Sequence, residues 1–211
     1  MSRKVTLIDY GAGNLLNVQR AFEHVGAQVD IATEAKQIEQ AQRLVFPGVG
    51  AFPEAMRRLQ QKNLIDAIQQ VATDKPFLGI CLGMQMMLDQ GEEFETTPGL
   101  GLIPGQVKAL PTRALDGKPM KVPHMGWELI RPNHQAWSNS LLNDIPPQNA
   151  FYFVHSYYAD VENVTDQLAV FDFGGHSITA AIQREHLMGC QFHPEKSGPM
   201  GLKIIERFLA I

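Results

Sequence analysis

The chain has 211 residues, 45% of them apolar and 19% charged, enough to bury one sizeable core and short for two, so one domain over residues 1–211 is expected. A formal net charge of −4 lacks the cationic surplus that neutralises nucleic-acid phosphates or anionic lipid, which argues against both as partners. Two widely separated cysteines form no disulfide framework, no Cys-x-x-Cys or His-Glu-x-x-His spacing offers a metal site, and no apolar run approaches the length of a signal core or a membrane span; a cytoplasmic protein without metal is expected.

In chain order, short apolar runs alternate with helical patterns through the first 90 residues: strand-like 5–8, helical 15–25, strand-like 28–32, helical 35–40, strand-like 44–46, helical 52–71, strand-like 77–80, helical 82–90. That order predicts parallel strands joined by helical crossovers, since parallel neighbours cannot be linked by a tight turn. After Gly91, Gly and Pro recur through 98–132, and β-rich runs follow at 151–159, 168–173, 177–183 and 187–192. The chain closes on an amphipathic helix over 203–209, with Ser197 as N-cap and Pro199 near the first turn. The expected class is α/β: a doubly wound, mostly parallel, flavodoxin-like sheet flanked by helices, with additional antiparallel strands.

Gly79-Ile80-Cys81-Leu82-Gly83 sets a cysteine between a strand and a helical pattern, with glycines two before and two after. This is a nucleophile elbow in cysteine form: the glycines remove side chains that would clash in a sharp turn, and the positive end of the following helix favours a thiolate. A free cysteine is ordinarily a small buried hydrophobe, and Cys190, inside a strand-like run, is read that way. Among seven histidines, His193 stands out in Gln191-Phe192-His193-Pro194-Glu195, where a strand ends at a proline. Residues two apart in an extended segment point the same way, so Glu195 can hold one imidazole nitrogen while the other faces Cys81. His155 lacks such a carboxylate and reads as a strand histidine beside the site; His24 and His186 read as solvated, and His134 and His176 fall in uninformative loops.

Pro47-Gly48-Val49-Gly50 ends a strand in a turn whose glycines let the backbone aim amides at a ligand. The amide of Val49 or its neighbour Gly50, with that of Leu82, is the expected oxyanion hole. Gly11-Ala12-Gly13 opens like a dinucleotide fingerprint, but Leu16 stands where the third glycine is required, and no nucleotide site is expected. Met84, Met86 and Met87 read as core, and Glu92, Glu93 and Glu95 as a solvated acidic loop.

Together with Asp9-Tyr10-Gly11-Ala12-Gly13-Asn14, Pro123-His124-Met125-Gly126-Trp127 and Phe153-Val154-His155-Ser156-Tyr157, these motifs resemble the class I glutamine amidotransferases over essentially the whole chain. Within that class they are most similar to the glutaminase subunits of imidazole glycerol phosphate synthase. The resemblance implies hydrolysis of glutamine through a thioester on Cys81, with His193 and Glu195 completing the triad and no metal or cofactor. It also implies that Gly48, Gln85, Glu93 and the segment His155, Ser156 and Tyr157 meet the substrate. Asn14, Trp127 and Lys196 would face a (β/α)8-barrel cyclase subunit, which uses the ammonia to form imidazole glycerol phosphate and an aminoimidazole carboxamide ribonucleotide in histidine biosynthesis. Glu128 departs from the family's asparagine and, as an acidic residue on a docking face, keeps open a paralogous role supplying a sugar-modifying amidotransferase. A stand-alone cysteine hydrolase and a non-catalytic binding subunit are the readings from other classes.

Overall fold

The computed structural model describes residues 3–11, 13–134 and 136–211. Ala12, of the Gly11-Ala12-Gly13 motif, therefore lies outside the described residues, as do Met1 and Ser2. The first half runs β1 (Lys4–Ile8), α1 (Leu15–His24), β2 (Gln28–Ala32), α2 (Ala35–Glu39), β3 (Leu44–Gly48), α3 (Phe52–Gln61), α4 (Ile65–Val71), β4 (Phe77–Cys81) and α5 (Leu82–Gln85). Short strands follow: β5 (Gln90–Gly91), β6 (Thr97–Pro98), β7 (Gly105–Ala109), β8 (His124–Leu129), β9 (Arg131–Pro132), β10 (Ala150–His155) and β11 (Tyr157–Val161). The chain ends with β12 (Gln167–Phe173), β13 (His176–Arg184), β14 (Leu187–Cys190) and α6 (Gly198–Ala210).

The main sheet has the order β2-β1-β3-β4-β14-β13-β12-β9. Its first five strands are parallel and the last three antiparallel, which is the mixed α/β sheet expected. Strand alternation divides the core. Val5, Leu7, Val45, Leu78 and Ile80 pack under α1 and α6, whereas Ile8, Leu44, Phe46 and Phe77 pack under α2, α3 and α4. A two-stranded sheet pairs β8 with β10, and a four-stranded one has the order β11-β7-β5-β6.

The structure corrects four sequence expectations. The helix expected over 52–71 is two helices, because Asn63 turns left-handed (φ 53°) and the Leu64 amide closes back on the Leu59 carbonyl at 3.0 Å. Asparagine tolerates that conformation at a helix C-terminus. The helix expected over 82–90 lasts one turn, after which Met86, Met87 and Leu88 turn into the core with no exposure. The β-run 151–159 breaks at Ser156 and sends β10 and β11 to different sheets. Ser197 precedes α6, but its hydroxyl donates to the His193 carbonyl (2.6 Å) and accepts from the Tyr152 amide (3.0 Å) instead of capping the helix.

Candidate active site

The carboxyl ends of β3, β4 and β14 converge on one edge of the parallel sheet, where doubly wound folds gather their sites. Cys81 is the last residue of β4 and adopts φ 54°, ψ −113°, a conformation costly for any side-chain-bearing residue. Its neighbours enforce it. A Cβ on Gly83 would lie 1.7 Å from the Phe46 carbonyl oxygen, and one on Gly79 would lie 2.6 Å from the Met84 Cα, so the turn closes only with glycine at both positions. Since α5 is a single turn, it brings no long helix dipole to the thiol, which tempers the expectation that a following helix favours the thiolate.

The His193 amide donates to the Tyr152 carbonyl at 2.9 Å, which fixes the segment leaving β14. The residues Pro194–Lys196 then form a 3-10 turn. Glu195 therefore reaches His193 by curling back through that turn, not by strand alternation as expected; its Oε1 lies 2.8 Å from His193 Nδ1, and both side chains are almost wholly buried. The Asn14 side-chain amide donates to the same Oε1 at 2.8 Å. His193 Nε2 is buried without a protein hydrogen bond of ordinary geometry. Burial works against a charged ring, but Cys81 and Glu195 on its two sides outweigh it and raise the His193 pKa.

These groups border a cavity of about 350 Å³ lined by Val49, Gly50, Cys81, Leu82, Gln85, Glu93, Pro123, Val154, His155, Ser156, Tyr157 and His193. Most of the residues expected to meet a substrate thus come together. Gly48 does not line the cavity; a Cβ there would meet the Gly83 amide at 2.7 Å and the Tyr10 hydroxyl at 2.8 Å, so its place is in close packing behind the turn. Glu92 and Glu93 are not a merely solvated loop: Glu93 Oε2 accepts the Phe52 amide at 2.7 Å and Glu92 Oε1 the Ala109 amide at 2.9 Å. His155 ends β10, where its Nδ1 lies 2.9 Å from the Tyr157 carbonyl and so carries the proton. Burial, opposed by that hydrogen bond and aided by the nearby His124 and His193, lowers its pKa to about 4. His186 is half-buried with Nε2 2.9 Å from the Ala72 carbonyl, not solvated.

Gln191, part of the quoted motif but given no role, proves to be fully buried beside the thiol, with Nε2 3.6 Å from Cys81 Sγ. Gln85 Nε2 donates to the Tyr157 carbonyl (2.8 Å) and to Gln191 Oε1 (2.9 Å). An isolated glutamine has no signal in sequence for such a chain, because its partners come from three separate elements. Among the described residues, no group of three or more His, Cys, Asp or Glu side chains is arranged to hold a metal ion.

Beside the cavity, β8 presents Met125, Trp127 and Leu129 to solvent at 63, 55 and 57% exposure. Trp127 pairs across the strands with Tyr152, ring centroids 6.0 Å apart, and Lys196 Nζ sits 5.9 Å from the Tyr152 ring. Glu128 points the other way, toward His124, with its Oε1 3.2 Å from His124 Nε2, so it is not an acidic residue on this exposed face. Burial and the nearby Asp172 hold its carboxyl above the usual range.

The model of the class-I glutamine amidotransferases matches residues 6–211. The chain belongs to that family. The amidotransferase is 48% identical over 210 residues to "Imidazole glycerol phosphate synthase subunit HisH 1" of Legionella pneumophila (strain Lens), covering 98% of this chain and 99% of that one. It is 40% identical over 215 residues to the subunit HisH of Nitrosospira multiformis, covering 97 and 96%. Among solved structures, a chain of the structure of PurLQS from Thermotoga maritima aligns with TM-score 0.72 at 16% identity, covering 100% of this chain and 99% of that one. A second, described as a glutamine amidotransferase, aligns with TM-score 0.72 at 13% identity, covering 98 and 99%. These structural likenesses establish the fold.

Proposed function

We propose that this amidotransferase is the glutaminase subunit of an imidazole glycerol phosphate synthase, acting in the cytoplasm as one domain over residues 1–211. The observation that carries the chemistry is the Cys81, His193 and Glu195 cluster at the cavity, and the full-length likeness to HisH subunits supports the pathway. Cys81 Sγ attacks the carboxamide carbon of glutamine, and His193, steadied by Glu195, delivers a proton to the departing nitrogen. Ammonia leaves, and water, deprotonated by His193, then cleaves the γ-glutamyl thioester to glutamate. The amides of Val49 or Gly50 and of Leu82 receive the oxyanion.

The polar end of the cavity suits the amino-acid group of glutamine. Both amide hydrogens of Gln85 are committed to Tyr157 and Gln191, which leaves its carbonyl oxygen as the free group. Together with the second oxygen of Glu93 it offers acceptors for an α-ammonium. A (β/α)8-barrel cyclase subunit would dock on Met125, Trp127, Leu129 and Tyr152 with Asn14 and Lys196 nearby, an apolar strip of the kind that forms an interface core. Ammonia passing directly into that partner escapes protonation in water. The sugar-modifying alternative drew its support from Glu128 on the docking face, and the inward turn of that side chain withdraws it.

Glutamine hydrolysis by the chain alone, and then with the cyclase subunit and its ribulose-phosphate substrate, tests the proposal. Slow turnover that rises with the partner is expected, and Cys81→Ala should lower it by at least about a thousandfold without loss of fold. Retained turnover in that variant, or ester hydrolysis in place of glutaminase activity, would overturn the reading.

A further inference from the structure

The direction of every donor in the chain from Tyr157 to Cys81 follows from one backbone group. A main-chain carbonyl can only accept, so the atom of Gln85 that lies 2.8 Å from the Tyr157 oxygen is its NH2. The other hydrogen of that NH2 points to Gln191 at 2.9 Å, which obliges Gln191 to present its carbonyl oxygen there. The remaining end of Gln191, its own NH2, is thereby turned to Cys81 Sγ at 3.6 Å. Rotating the Gln85 amide by half a turn would set its oxygen against those of Tyr157 and Gln191, and rotating Gln191 alone would set two NH2 groups against each other, both in a buried place.

We infer that Gln191 is a further catalytic residue of the glutaminase reaction, an amide donor that stabilises the thiolate of Cys81 at attack and again when the thioester breaks. A neutral thiol is a weak acceptor and a thiolate a strong one, so a donor fixed against sulfur favours the charged form. His193 supplies charge to the same sulfur from another side, but it must give up its proton during turnover, whereas the amide of Gln191 keeps its hydrogens throughout. The chain also links the nucleophile to Gln85, so that substrate contact and thiolate share one rigid set of hydrogen bonds. A stabilised thiolate is intrinsically a poorer nucleophile, but only by part of the gained stability, and its population rises in full. This role rests on the glutaminase reading for its substrate, but not for its effect on sulfur.

The test is the pH profile of Cys81 alkylation by iodoacetamide in the full chain, with the modified peptide identified by mass spectrometry. Cys190, wholly buried with its thiol pushed up by burial, stays silent. In Gln191→Met the alkylation midpoint should rise by about one pH unit, the worth of one hydrogen bond to a charged group, with reaction below the midpoint about tenfold slower. Gln191→Glu, nearly isosteric and still able to accept from Gln85, guards against a packing failure and should raise the midpoint further, since it sets a carboxylate against the sulfur. The rise should persist when both variants are made in a His193→Gln background. Unchanged midpoints in the folded variants, or a rise that vanishes without His193, would overturn the inference. Parallel glutamine assays separate the two readings: a shifted midpoint in a chain that never hydrolyses glutamine refutes the glutaminase proposal and leaves the role of Gln191 standing.

Discussion

At the scale of single residues, the two buried histidines of the cavity are pushed in opposite directions. His193 lies between Cys81 and Glu195, which raise its pKa, so what it adds to stability is present below its unfolded value and is lost as pH climbs through the raised one. His155, buried and held neutral with a pKa near 4, works in the other sense. Between pH 6.5 and 4 the unfolded chain takes up a proton at this position that the folded chain refuses, so stability falls as pH falls through that window. The shift corresponds to about 3 kcal/mol over the full window. His155→Gln, which can keep the hydrogen bond to the Tyr157 carbonyl, should therefore flatten the acid side of the stability curve by a large part of that amount. Urea unfolding at pH 7 and pH 4 measures it; an unchanged difference between the two would mean that another group takes up the proton.

At the scale of elements, the elbow from β4 into α5 is held by exclusion of side chains. The strained φ of Cys81 persists because Gly83 lets the helix turn press on Phe46 and Gly79 lets β4 press on Met84. Gly83→Ala, whose methyl would have to displace the Phe46 carbonyl, should lower unfolding free energy by more than about 3 kcal/mol. Gly126→Ala is the control: the nearest atom to its new Cβ is 3.8 Å away, and the change should stay within about 1 kcal/mol. Chemical denaturation of both variants distinguishes a steric requirement at the elbow from a general cost of replacing glycine, which equal losses would indicate.

At the scale of the whole molecule, the parallel half of the sheet positions the cavity, and the strands added after Gly91 build its far wall and the exposed strip beside it. Met125, Trp127 and Leu129 stand out from one face of β8 while Gly126 and Glu128 turn inward, so the exposed strip is a consequence of period-two alternation along the strand, with Tyr152 of β10 beside Trp127 on the same face. If the cyclase docks there, Trp127→Glu should weaken the complex by about 2 kcal/mol or more, the cost of removing a central aromatic anchor, while costing the isolated chain no more than about 1 kcal/mol, the worth of its ring contact with Tyr152. Titration calorimetry against the cyclase subunit, with a melt of each partner, gives both numbers; undiminished affinity would move the interface elsewhere.

The sequence by itself determined the order of the parallel strands' parent runs, the elbow around Cys81 and the pairing of His193 with Glu195, because each rests on local rules: apolar runs, glycines at fixed offsets, and residues a few positions apart. It could not decide that the Phe151 run divides between two sheets, since Ser156 carries no break signal and only the competition of β8 and β7 for pairing partners separates the halves. It placed Glu128 on a docking face, where strand register turns it inward toward His124. It was silent on Gln191, whose side-chain partners Cys81 and Gln85 lie more than a hundred positions away and meet it only when the sheet has formed. Local geometry follows from the chain's own covalent constraints, whereas which groups share a buried polar network depends on contacts between distant segments, and those are fixed only in the tertiary structure.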